Sequence, residues 1–165
     1  MGCGWCQGNE TPMTIEGNLK AVACQLLAVI GLPCNDVIHE AQRLDHFGDG
    51  EVVFEVGPLH LRFLRERGQD FLDVSPASAP GEYHPFGDVE LAMGWKTVDE
   101  VWMRSEPEPL PEILQRLRRH YQQLQEAFSG TQVHATLAKL DFASRRRGAA
   151  FVDHLRRLAE EAQRK

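Results

Sequence analysis

The stretch "EVVFEVGPLHLRFLRERGQDFLDV" (residues 51–74) decides the fold. It divides into three apolar runs, "EVVFEV" (51–56), "LHLRFL" (59–64) and "DFLDV" (70–74). In the first, Val52, Phe54 and Val56 alternate with Glu51, Val53 and Glu55. In the second, Leu59, Leu61 and Phe63 share one face, and His60 and Arg62 take the other. Gly57-Pro58 turns the chain once, and Arg65, Glu66, Arg67, Gly68 and Gln69 read as a tight charged turn. A period of two with short connections predicts an antiparallel meander covered on one face. Its apolar residues are then core, and Arg65, Glu66 and Arg67 project at a hairpin tip.

Helical periodicity flanks the meander. Ile15, Leu19, Val22, Leu26 and Ile30 recur every three or four residues, which predicts a helix over 15–30 stopped by Gly31 and Pro33. Asn35 is a good N-cap, and a second short helix is expected from it to about Leu44 through Val37 and Ala41. "SPASAPGEYHP" (75–85) reads as a loop, and "FGDVELAMGW" (86–95) as a short helix. "KTVDEVWM" (96–103) is ambiguous between a short helix and irregular chain, and Trp95 and Trp102 read as buried anchors. Leu110, Ile113, Leu114, Leu117, Tyr121, Leu124 and Phe128 form a long stripe that predicts a helix ending at Ser129-Gly130. The last segment is helical on both sides of "SRRRGAA" (144–150), with a break expected near Gly148. The fold class is therefore α+β, a small antiparallel meander packed against an N-terminal helix pair and long C-terminal helices. Residues 1–12 read as a flexible tail and 13–165 as one domain.

Composition bounds the function. The 165 residues are 42% hydrophobic and 25% charged, ordinary for a globular chain, and no apolar run approaches bilayer-spanning length. The start "MGCGWCQGNE" lacks a basic region followed by an apolar one, so a cytoplasmic location is expected. The net charge of −6 is unevenly spread. Residues 1–107 carry 17 acids against 7 bases, and residues 108–165 carry 7 against 11. An acidic part of this kind repels nucleic acid and anionic lipid and attracts a basic protein partner.

Catalytic signatures are weak. Cys3 and Cys6 have the spacing of a redox or zinc pair, yet nothing strand-like precedes them, and Cys24 and Cys34 lie in or beside apolar helical sequence. Histidines at 39, 46, 60, 84, 120, 134 and 154 show no metal-ligand spacing on one helix. "DHFGDG" (45–50) reads as turn chemistry, because Phe47 and Val56 stand where a calcium loop needs oxygen ligands. Glu55, Asp70 and Asp73 could form a carboxylate cluster, although solvated charges on a sheet face explain them more simply. Arg145–Arg147 with Arg156 and Arg157 make a basic patch with little aromatic interleaving. It reads as a helix face that pairs with the acidic sheet region. An enzyme or regulator using Cys3, Cys6 and the histidines is the competing class. A homo-oligomeric structural protein, such as a homodimer, associating through the 110–128 helix is a third.

The run "LRFLRERGQDFLDV" followed by "DVELAMG" (88–94) resembles the small α+β immunity proteins that bacteria encode beside polymorphic or secreted toxins. There a hairpin of the form l-r-f-x-r-x-r-g-q-x-f-x-d-v precedes a d-v-x-x-a-x-g segment. The resemblance covers about residues 50–127, and the C-terminal "LDFASRRRGAAFVDHLRRLAEEAQRK" lies outside it. It implies a non-catalytic inhibitor, without cofactor or metal, that binds a cognate toxin with a basic cleft and occludes its active site. Exposure and charge then nominate Glu66, Asp70, Asp73, Glu82, Tyr83 and Asp88 as toxin contacts.

Overall fold

The computed structural model describes residues 18–32, 36–42, 49–102 and 108–164. The expectations for the tail 1–12, for Cys3, Cys6, Cys34 and His46, and for most of the 45–50 turn fall outside them. Five antiparallel strands lie in sequence order: β1 (Val37–Gln42), β2 (Gly50–Val56), β3 (Leu59–Glu66), β4 (Gln69–Pro76) and β5 (His84–Pro85). The helices are α1 (Leu19–Val29), α2 (Phe86–Ala92), α3 (Val98–Trp102), α4 (Leu110–Ala127) and α5 (Gln132–Gln163). The architecture is α+β, and the three runs read from the sequence are β2, β3 and β4.

The β3–β4 hairpin closes through Arg67 and Gly68, with φ of 51° and 76°. Two consecutive left-handed residues make the turn whose twist matches that of the strands it joins. Glycine takes this conformation without strain, and Arg67 is held in it while its amide donates to Asp49 Oδ1 at 2.7 Å. The turn fixes the register: Leu61 faces Val74, Arg62 faces Asp73, Phe63 faces Leu72 and Arg65 faces Asp70. Alternation then sends Leu59, Leu61, Phe63, Leu72 and Val74 to one face, where all are buried with Val52, Phe54 and Val56. Phe54 and Phe63 meet edge to face with ring centroids 5.7 Å apart.

Helices α1 and α4 cover this face. Leu19, Val22, Ala23, Leu26 and Leu27 come from α1, and Leu110, Leu114, Leu117 and Leu124 from α4. Asn18 caps α1 by accepting from the Lys20 amide at 2.9 Å. Tyr121 of α4 donates to the Val56 carbonyl at 3.3 Å, directly above the β2–β3 turn. A Cβ on Gly57 in that turn would come within 3.1 Å of the Tyr121 hydroxyl, so glycine lets helix and turn close up. Helix α5 packs its first half on α2, α3 and α4, burying Val133, Thr136, Leu140 and Ala143.

Two expectations are corrected. The segment after Asn35 is not a helix; residues 37–42 pair with β2 as an edge strand. The register slips between Val37 and His39, and this bulge breaks the alternation that would have marked a strand. The C-terminal helix has no break: α5 runs unbroken for 32 residues through Gly148. Glycine there costs about 1 kcal/mol relative to alanine, which the helix-favouring neighbours absorb. Within the ambiguous 96–103 segment Val98–Trp102 forms α3, opened by a reciprocal cap in which Thr97 N donates to Glu100 Oε2 at 2.8 Å and Glu100 N donates to Thr97 Oγ1 at 3.3 Å. Trp95 is half-buried and stacks on His120, with ring centroids 4.0 Å apart.

The packing makes a prediction. Phe63→Ala should cost about 3–5 kcal/mol in urea unfolding, whereas Phe71→Ala, on the opposite face of the same hairpin, should cost less than about 1 kcal/mol.

Candidate binding surface

On the outer face of the sheet Glu51, His60, Arg62, Glu66 and Asp73 stand among the apolar Val53, Leu64 and Phe71. Arg62 sits at the centre. Its Nε and Nη2 donate to Asp73 Oδ2 at 3.1 and 2.6 Å, and its Nη1 lies 3.9 Å from Glu51 Oε2. Glu51 in turn lies 2.8 Å from His39 Nε2. The Tyr83 ring covers the Arg62 guanidinium at 4.1 Å, a cation–π contact that draws the 77–83 loop over the sheet. Ser75 Oγ pins the same loop by donating to the Ala79 carbonyl at 3.1 Å. Burial pushes the Asp73 carboxyl above its ordinary value of 3.8, against the opposing pull of its bonds to Arg62. Burial likewise raises the Tyr83 hydroxyl.

Beside this face runs a groove of about 700 Å³. Its origin is topological. Strand β5 pairs with β4 only at Asp73 and Val74, because the chain turns into α2 at Phe86. The edge of β4 from Gln69 to Leu72 has no strand beside it among the described residues. Leu64, Glu66 and Phe71 line the sheet side, and Phe86, Val101 and Ile113 the helical side. Phe71 is 38% exposed, large for an aromatic ring beside a groove.

An ion-pair cluster closes the far wall. Arg116 of α4 bridges Glu90 of α2 and Glu108, with Nε 2.5 Å from Glu90 Oε1 and Nη2 2.6 Å from Glu108 Oε2. Lys96 Nζ adds contacts of 3.0 Å to Glu90 and 3.4 Å to Glu108. Burial disfavours the Arg116 charge, but the bonds from both carboxylates outweigh it and its pKa is raised. Next to the cluster Arg147 of α5 donates through Nη2 to Asp88 Oδ2 at 3.0 Å. Its Nε approaches Oδ1 at 2.6 Å, an ionic contact without hydrogen-bond geometry.

The six residues nominated from the sequence are dispersed by this arrangement. Asp73 and Tyr83 meet around Arg62. Glu66 joins Asp73 in lining the groove and lies close enough to disfavour its charge. Glu82 is exposed beside Tyr83. Asp70 pairs with Arg65 at 2.6 Å on the opposite side of the hairpin. Asp88 is 1% exposed and turned inward to Arg147. Sequence reasoning missed Arg62, Glu51, His39 and Phe71. The hairpin register would have found the first, since a two-residue turn at 67–68 sets Arg62 opposite Asp73.

The other clusters also come apart. Glu55 lies 3.5 Å from His60 Nε2, so Glu55, Asp70 and Asp73 do not converge. Of the basic patch, Arg147 reaches α2, whereas Arg145 and Arg156 pair along α5 with Asp141 and Asp153. Among the described residues no three His, Cys, Asp or Glu side chains converge as metal ligands, and no helix is long and apolar enough to cross a membrane. The apolar stripe of α4 is buried in the core. No protein-family model, curated protein or solved structure matches the chain.

Two outcomes follow. The folded Asp73 carboxyl titrates above its unfolded value, so its contribution to stability is present below the unfolded pKa and is lost as pH rises through the folded one. The unfolding free energy of wild type minus that of Asp73→Asn should therefore fall as pH rises through the acid range and be flat above it. A difference rising with pH would mean that Arg62, not burial, governs this carboxyl. Arg116→Ala should cost about 3 kcal/mol, because it removes one of the two cations that hold the buried Glu90 carboxylate and leaves it to Lys96. Replacing Arg116 and Glu90 both by Met should cost much less in the same denaturant titration.

Proposed function

We propose that the chain is an immunity protein, a cytoplasmic bacterial inhibitor that binds a cognate toxin through the outer sheet face and β4 groove and blocks its basic active-site cleft. One observation carries this reading. An open strand edge, an exposed aromatic ring at Phe71 and the carboxylate of Glu66 lie together along one groove. Open edges accept a partner's extended backbone, exposed aromatics anchor interfaces, and exposed carboxylates steer a basic partner. Among the described residues no cation pairs with Glu66 or Glu82.

A polar groove lined by ionisable groups would also suit chemistry. Here Lys96, Arg116 and Arg147 are matched to Glu90, Glu108 and Asp88, and Arg62 to Asp73. Charges matched in this way hold walls in place. The competing enzyme or regulator would draw on Cys3, Cys6 and the histidines. Of those described, His39 and His60 face glutamates and His120 stacks on Trp95, and none of the described histidines lines the groove. The acidic face would repel nucleic acid.

The test is binding and growth rescue with the product of an adjacent toxin gene. Reversing Glu66 and Glu82 to Lys should slow association about 10-fold at low salt and little at high salt, while Phe71→Ala should mainly speed dissociation. Absence of binding and rescue, or an association rate indifferent to these charges, would contradict the proposal.

A further inference from the structure

The turn at Arg67-Gly68 settles where the peptide groups of β4 point. In such a hairpin the two residues that flank the turn, Glu66 and Gln69, exchange backbone hydrogen bonds, and bonded and non-bonded pairs then alternate along the strands. Gln69, Phe71, Asp73 and Ser75 therefore bond to β3. Asp70, Leu72 and Val74 turn their N–H and C=O groups the other way. Val74 faces His84 of β5. That line of pairing stops where Phe86 opens α2, and no described strand lies beside Asp70. A row of peptide groups on an open strand edge is a template for another strand.

The side chains around the edge specify what lies there. A strand added to β4 sends its own side chains alternately to the two faces of the sheet. A residue beside Phe71 points to the outer face, where the exposed ring offers an apolar surface. A residue beside Gln69 points to the same face, across β4 from Glu66. Glu66 lines the groove, and among the described residues no cation pairs with it. The groove's own cations, Lys96, Arg116 and Arg147, are held by Glu90, Glu108 and Asp88. A residue beside Leu72 points inward, to the helical wall of Val101 and Ile113.

We infer that the partner docks here by strand addition, through an extended segment that is apolar beside Phe71 and Leu72 and carries Lys or Arg beside Gln69. Its backbone hydrogen-bonds to the edge-facing peptide groups of β4 in the line that β5 leaves unfinished. Its basic side chain meets Glu66. The inference rests on the toxin-binding reading for the partner's identity. It adds the element that the partner brings and the backbone atoms that hold it.

The test uses two capped peptides, Val-Val-Thr-Lys-Thr-Lys and its reverse, which cover both strand directions, and then the toxin itself. Hydrogen exchange followed by NMR on the full chain should show a fast Asp70 amide in the free protein and saturable protection of Asp70 and Leu72 with one of the peptides. Glu in place of Lys in that peptide should weaken binding about 10-fold or more at low salt. Asp70→Pro removes an N–H that faces the edge and leaves the bonds to β3 in place. It should bind peptide and toxin about 10-fold or more weakly than Asp70→Ala, which keeps the amide and loses only the carboxylate that pairs with Arg65. The exchange experiment decides on the wild type alone if the proline variant unfolds. Protection at neither amide, an Asp70 amide already protected in the free chain, or a preference for the Glu peptide would overturn the inference. A toxin that binds the proline and alanine variants alike would overturn it and leave the toxin-binding reading standing. A peptide that adds to the edge while the toxin neither binds nor is neutralised would leave strand addition standing and remove that reading.

Discussion

The two-residue turn at Arg67-Gly68 constrains everything around it. With only two residues available, β3 and β4 can pair in one register, and a slip by one residue would move every side chain to the wrong face. The register places Leu61, Phe63, Leu72 and Val74 towards α1 and α4, where their burial supplies much of the driving force for folding. It places Arg62 and Asp73 opposite each other on the outer face, where Tyr83 can close over the guanidinium. The core and the candidate surface are two sides of one pairing.

The second organising feature is the early end of β5. Because Phe86 starts a helix immediately after two paired residues, α2 swings away and leaves β4 half covered. The space is walled by charge. Glu90 on α2, Lys96 after it, Glu108 before α4 and Arg116 within α4 neutralise one another across three segments. Buried pairs of this kind add little net stability, since desolvation consumes most of the attraction, but breaking one is costly. The cluster fixes how α4 sits against α2, and so the width of the groove. Arg147 and Asp88 do the same for α5.

How much of this was legible in the sequence depended on range. The meander, α1, α2 and α4 announced themselves through local periodicity: Val52, Phe54 and Val56 at a spacing of two, and Leu110, Leu114, Leu117 and Leu124 at three and four. Strand β1 did not, because the bulge between Val37 and His39 disrupts its alternation and its strand state depends on β2 beside it. Gly148 misled because its local cost is real but smaller than the preference of the residues around it. For the surface, exposure guessed from charge succeeded for Glu66 and Glu82 and misplaced Asp88, whose partner Arg147 lies 59 residues away. Long-range ion pairs leave no periodic trace. The Arg62–Asp73 pair was readable in principle, since the turn that sets it is local.

The most direct measurement is amide hydrogen exchange on the chain with and without its proposed toxin partner. The account predicts new protection at Gln69–Leu72, along the open edge of β4, and around Glu82 and Tyr83, with α1 unchanged. Protection confined to other elements, with the β4 edge exchanging as fast as in the free chain, would contradict it.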